Sequence, residues 1–189
     1  MIPSLREIIA SLYGSWRLAH FDRRGMAYFD KTVEGFWRSF FAALLVAPLY
    51  AVMLGLRYTA SGEAADPIHF GLIEALSYLI SWFAYPVVMI TLTEALGCRD
   101  RFVGYMVAYN WCMVLQNCLL VPIATLNGLH VFGPDIATML WLLAVIAVLV
   151  YLWFITRAGL NVPPLTAVGI VSVDVLLSLV INAMTNNLH

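Results

Sequence analysis

Asp174 is the residue in this 189-residue chain with the most chemical potential, because it stands alone in the otherwise uncharged apolar stretch Val162–Ala183. A carboxylate in hydrocarbon costs about 2.5–3.5 kcal/mol on insertion scales. Asp174 must therefore face other helices, and with no Lys or Arg at matching depth the neutral acid is favoured. Such a group can act as a proton relay or substrate-binding group, or it can donate a hydrogen bond that clasps two helices. Asp174, Ser178 and Asn182 follow at four-residue steps and share a helical face, expected to point into the bundle.

Other polar side chains offer partners. Asn110, Gln116 and Asn117 lie in the apolar stretch Phe102–Leu126. Counting from the span starts sets Met113 level with Asp174, with Asn110 and Asn117 roughly 5 Å to either side. An Asp174–Asn110 or Asp174–Asn117 bond is expected; otherwise these amides bond to each other or to the backbone. Tyr105, Tyr109, Met113 and Asn117 form an overlapping ridge. Glu74 and Tyr78 flank a Ser77, Ser81, Tyr85 ridge, and Glu74 is expected to snorkel to the outer surface. Asp174, Asn110, Gln116, Asn117, Glu74 and Ser178 thus outline a polar path through an apolar body.

Enzyme signatures are missing from the sequence. It has no H-E-x-x-H, G-x-S-x-G, P-loop or dinucleotide fingerprint. None of its apolar stretches holds a histidine to act as a base. Cys112 and Cys118 are six residues apart and face different directions of a helix, so with Cys98 they read as small apolar fillers. His69 and His130, near Asp66 and Asp135, read as loop residues rather than metal ligands. Neither catalysis, nor a metal, nor a cofactor is expected.

The elements that position these groups are long. Ser39–Leu56, Ala75–Thr93, Phe102–Leu126 and Ile136–Thr156 carry no charge, and Val162–Ala183 carries only Asp174. Each is about 18 residues or more, enough helix to cross roughly 30 Å of hydrocarbon. The chain is 62% hydrophobic and 11% charged, against about 45–50% and 25% in soluble domains. The expected fold is all-α, a polytopic membrane protein of five transmembrane helices with an N-terminal interfacial amphipathic helix. The spans are placed near 36–56, 69–96, 102–126, 135–156 and 163–185, with 1–34 a cytoplasmic surface segment and 35–189 the membrane domain. A net charge of −1 leaves no basic stripe for nucleic acid.

Charge distribution sets the orientation. Arg6, Arg17, Arg23, Arg24, Lys31, Arg38, Arg99, Arg101 and Arg157 fall on one side and Arg57 alone on the other. By the positive-inside rule the N-terminus is cytoplasmic and the C-terminus outside, in a cytoplasmic (inner) membrane.

Near the N-terminus, Leu5, Ile8, Ile9, Leu12, Trp16 and Ala19 recur at three- and four-residue steps and make one apolar face. Ser4 and Glu7 fit a capping box. This reads as a surface helix meeting the lipid bilayer or a membrane-protein partner; the alternative is that its apolar face packs on the protein's own loops. Ala43, Ala47 and Ala51 form a small-residue ridge that permits close approach by a helix of this chain or of a second copy. Pro48, Pro86 and Pro122 are expected to bend their spans.

The Gly104-Tyr105 pair after the tight turn Gly97-Cys98-Arg99-Asp100-Arg101, a polar fifth span, a cytoplasmic N-terminal helix and short loops together resemble bacterial relatives of the Yip1-type membrane proteins. The Asp-Leu-Tyr-Gly-Pro signature of the eukaryotic members is absent. Leu12-Tyr13-Gly14 lies in the N-terminal helix and takes no role from that signature. The resemblance implies a non-enzymatic protein of membrane organisation or trafficking, without a cofactor. Two functions follow: a membrane-organising, trafficking or accessory scaffold subunit, or a small proton-linked transporter or channel-like carrier built on Asp174.

Overall fold

In the computed structural model, which describes residues 2–61 and 66–188, every long element is a helix. They are α1 (Leu5–Ala19), α2 (Val33–Ser39), α3 (Phe41–Ser61), α4 (Pro67–Ala95), α5 (Phe102–Gly128), α6 (Pro134–Leu160) and α7 (Pro164–Asn186). Short 3₁₀ turns fill Arg23–Tyr28 and Arg99–Arg101. Five helical segments are long and apolar enough to cross a membrane: Val33–Leu56, Pro67–Ala95, Arg99–Gly128, Pro134–Leu160 and Pro164–Asn186. Residues 62–65 of the predicted Arg57–Pro67 connection lie outside the described residues.

Local chemistry sets the helix ends. Proline at the first helical position starts α4, α6 and α7, where a missing N–H costs no intrahelical bond. Asp66 caps α4 by accepting from the Ile68 amide at 3.0 Å. Gly97, at φ +66°, ends α4 in a left-handed turn, and the Cys98 amide returns to the Thr93 carbonyl at 2.9 Å. α1 ends in the same way on Phe21, at φ 59°. That conformation is unusual for a bulky residue, and the Phe21 ring packs edge-on against Phe154 with centroids 5.2 Å apart.

The first predicted span is two helices. The Ser39 hydroxyl donates to the Phe36 carbonyl at 2.7 Å, competing with the main-chain ladder, and the helix restarts at Phe41. α3, α4 and α5 continue through Pro48, Pro86 and Pro122. The buried residues of α3 are Ala42 and Val46, one position off the expected alanine ridge, and Ala51 is exposed.

α5 is the axis of the structure. It packs against α1, α2, α3, α4 and α6, while α7 lies on α4 and α6. Its residues Gly104 to Cys112 are buried on all sides. In that segment Gly159 of α6 meets Tyr105 so closely that a Cβ there would lie 2.8 Å from the ring.

Candidate functional site: polar side chains between the helices

Asp174 is 7% exposed, and its partner is a phenol. The Tyr109 hydroxyl donates to both carboxyl oxygens, at 3.0 Å each. Tyr109 stacks on Tyr85 at 4.4 Å between ring centroids. The Tyr85 and Tyr105 hydroxyls bond at 2.6 Å, and Tyr105 also meets the Thr156 hydroxyl at 3.2 Å. Four helices therefore converge here: α4 brings Tyr85, α5 brings Tyr105 and Tyr109, α6 brings Thr156 and α7 brings Asp174.

The expected asparagine partners go elsewhere. Asn110 donates to Ser39 Oγ at 2.9 Å, tying α5 to α2. Asn117 donates back to the Met113 carbonyl of its own helix at 2.9 Å. Counting from span starts assumes that α5 and α7 begin level, whereas a long phenol one turn nearer the start of α5 reaches the carboxylate. The face of α7 that carries Asp174 is also only partly internal. Ser178 and Asn182 are exposed, and Asn182 donates to the Ser178 carbonyl at 2.8 Å, so it has no need of a partner across the bundle.

Glu74 does not snorkel. It is fully buried, and the Tyr50 hydroxyl donates to its Oε2 at 2.6 Å, joining α3 to α4. Ser77 on the same helix meets the Thr185 hydroxyl at 2.6 Å, joining α4 to α7. Gln116 is 4% exposed, and its amide nitrogen is buried without a hydrogen-bond partner. Asp174, Asn110, Glu74 and Ser77 thus work as separate fasteners between different helix pairs, whereas Asn117 and Asn182 bond within their own helices. Sequence reasoning placed Tyr85, Tyr105 and Tyr109 on polar ridges but left them out of the site, and it gave Thr156 no role; the available signal was the four-residue spacing of Tyr105 and Tyr109 on a helix buried all round.

The N-terminal segment forms a second polar assembly. α1 puts Ser11, Gly14, Ser15 and Leu18 inward. Tyr151 of α6 donates to the Ser15 carbonyl at 2.8 Å. Gly14 crosses Gly25 so closely that a Cβ on Gly25 would lie 2.6 Å from the Gly14 carbonyl oxygen. Arg17 pairs with Asp22 and also donates to the Tyr28 hydroxyl at 3.1 Å. The Arg24 amide and then the Arg17 guanidinium hold the Asp22 carboxyl below its usual range. Half of the capping box forms, with Ser4 Oγ accepting from the Glu7 amide at 3.2 Å. The Glu7 carboxylate instead accepts from Arg38 at 2.9 Å, and Arg38 also pairs with Asp30.

The predicted apolar stripe of α1 is divided. Ile8 and Leu12 are half-buried against the core, whereas Leu5, Ile9 and Trp16 are 72%, 59% and 58% exposed. Among the described residues no three His, Cys, Asp or Glu side chains gather as a metal-binding group. Comparisons with family models, curated proteins and solved structures found no match to this chain.

Proposed function

We propose that this chain is an integral protein of the cytoplasmic membrane that acts without catalysis, as a membrane-organising or accessory scaffold subunit of the Yip1-like kind. The N-terminal helix is its contact surface. The observation that carries this reading is that α1 is fastened to α5, α6 and Arg38 on one side while Leu5, Ile9 and Trp16 face outward. A flexible tail would lose that stripe to disorder. A fastened helix presents it as a fixed apolar edge suited to the membrane surface or to a partner's helix. The separate interhelix bonds of Asp174, Asn110, Glu74 and Ser77 support the same reading, because they make the bundle a stable platform.

The test is the triple variant Leu5→Glu, Ile9→Glu, Trp16→Glu, compared with the parent after mild-detergent purification at native expression. The expected result is retained folding with loss of a stoichiometric partner or of surface anchoring of residues 1–30, read by protease accessibility. Unchanged association and unchanged accessibility overturn the reading.

A second function, a small proton-linked carrier, is favoured by Asp174, which is buried against a neutral phenol with no cationic partner among the described residues. Asp174→Asn keeps the polar contact and removes the ionisable proton. Full cellular activity of that variant ends the carrier reading.

A further inference from the structure

An open groove of about 690 Å³ runs between α6 and α7. Leu149 and Val150 line it from α6, and Val168, Val175 and Leu176 from α7. From Val168 to Val175 it follows about 10 Å of helix axis. Its hydroxyl-bearing residue, Ser172, already donates to the Val168 carbonyl at 2.9 Å, so the groove offers an entering molecule an almost wholly apolar wall.

One end of the groove is built differently. Trp153 closes it, with the indole N–H donating to the Pro164 carbonyl at 3.1 Å, which fixes the ring across the start of α7. One turn further along α6, the Arg157 guanidinium lies 4.9 Å from the Trp153 ring centroid. Arg157 Nε is buried and has no hydrogen-bond partner. Arg17, Arg38, Arg99 and Arg101 each face a carboxylate, but among the described residues Arg157 has no ion pair. A guanidinium is a planar fork matched to two oxygens of a phosphate or carboxylate. Here it is oriented by an aromatic ring and pairs with no carboxylate among the described residues.

In a bilayer an acyl chain gains little by leaving other acyl chains for an apolar groove. Retention of one lipid must therefore come from its headgroup, and the Trp153 that closes the groove carries the Arg157 cation on its ring. We propose that the α6–α7 groove holds one anionic phospholipid from the leaflet at the arginine-bearing end, with an acyl chain along Val168–Val175 and its phosphate on Arg157. The inference rests on the membrane-spanning reading of the five helices. It adds a lipid class and a residue to that reading.

The experiment is native mass spectrometry of the full chain, extracted from membranes and titrated with phosphatidylglycerol or phosphatidylcholine. The parent is expected to retain one phosphatidylglycerol about fivefold more tightly than phosphatidylcholine, as one well-placed basic residue would provide. Arg157→Gln should abolish that preference. Arg99→Gln, at the same end but 60% exposed and already paired with Glu94, should leave it intact. Val168→Trp, which fills the groove and leaves Arg157 in place, should lower retention of both lipids. Equal retention of the two lipids by the parent overturns the proposal, as does an undiminished preference in Arg157→Gln or an equal loss in Arg99→Gln. If the chain is recovered in the soluble fraction, the membrane reading fails and this inference fails with it.

Discussion

The end of the bundle that carries Arg99, Arg101 and Arg157 and the end that carries Asp66 and Asp135 are buried to different extents. At the first, α5 is buried continuously from Gly104 to Cys112, and α6 contributes Tyr151, Leu152, Phe154, Ile155, Thr156 and Leu160 to the same core. Toward the second, α5 buries only Val121 beyond Gln116, and α6 only Ala144 before Tyr151. There Gly55, Gly71 and Gly133 have open space where a Cβ would go, as do Gly97 and Gly169 toward the first end, where Gly104 and Gly159 do not. The arginine-bearing end is therefore the more continuously buried, although the other end is also cross-bonded, by Tyr50–Glu74 and Ser77–Thr185. The other end leaves more of its apolar surface uncovered by the rest of the chain.

A single substitution made at both ends gives the sharpest contrast. Gly159→Ala sets a methyl group 2.8 Å from a Tyr105 ring that is fully buried and bonded at its hydroxyl, so the clash has no easy relief. It should destabilise by about 1–3 kcal/mol, read as a fall in detergent melting temperature. Tyr109→Phe, in the same core, removes the donor to both Asp174 oxygens. A loss of about 1–2 kcal/mol is expected, because the buried carboxyl keeps its desolvation cost. A neutral result would mean that Asp174 has water or another donor. Gly71→Ala, where nothing lies within 4 Å, should instead stabilise by about 0.5–1 kcal/mol through helix propensity alone. If both alanine substitutions shift melting in the same direction, the contrast between the ends is wrong.

The smallest effect concerns the N-terminal turn. The Asp22 carboxyl sits below its usual range, held by the Arg24 amide and then by Arg17. Its contribution is fully present above the ordinary aspartate value and is lost as pH falls through the lowered folded value. Protease cleavage between Phe21 and Lys31 should thus stay slow at mildly acidic pH and rise only under strongly acidic conditions. Asp22→Asn should cleave faster at neutral pH and lose that pH dependence.

Much of this architecture was legible because it rests on long-range composition and on capping rules. The five apolar stretches and the cap at Ser4 were read from residue type and position; the proline starts at Pro67, Pro134 and Pro164 and the Asp66 cap obey the same rules but emerged only in the structure. Pairings between helices did not follow in the same way. The expectation for Asp174 rested on depth counted along isolated helices, which cannot register a relative shift of α5 and α7, and so the choice fell on asparagines instead of Tyr109. The break at Phe40 was hidden because Ser39 is compatible with an uninterrupted helix until its hydroxyl is drawn to Phe36 and Asn110. On α1, the strong Leu5–Trp16 stripe drew attention from Ser11, Gly14 and Ser15, whose smallness lets the helix approach α5 and α6.

The bond from Tyr151 to the Ser15 carbonyl joins residues 136 positions apart. Ribosomes add roughly 5–20 residues per second, so α1 exists for about 7–27 s before that partner is made, and longer before it is clear of the ribosome. Over that interval α1 can already meet the Arg23–Tyr28 turn, through the Gly14–Gly25 crossing, and later α5, so the Tyr151 bond closes a contact that begins earlier. Only the last of its fastenings, the Tyr151 bond, waits for α6, so a chain stalled before Tyr151 would hold α1 by its earlier contacts alone.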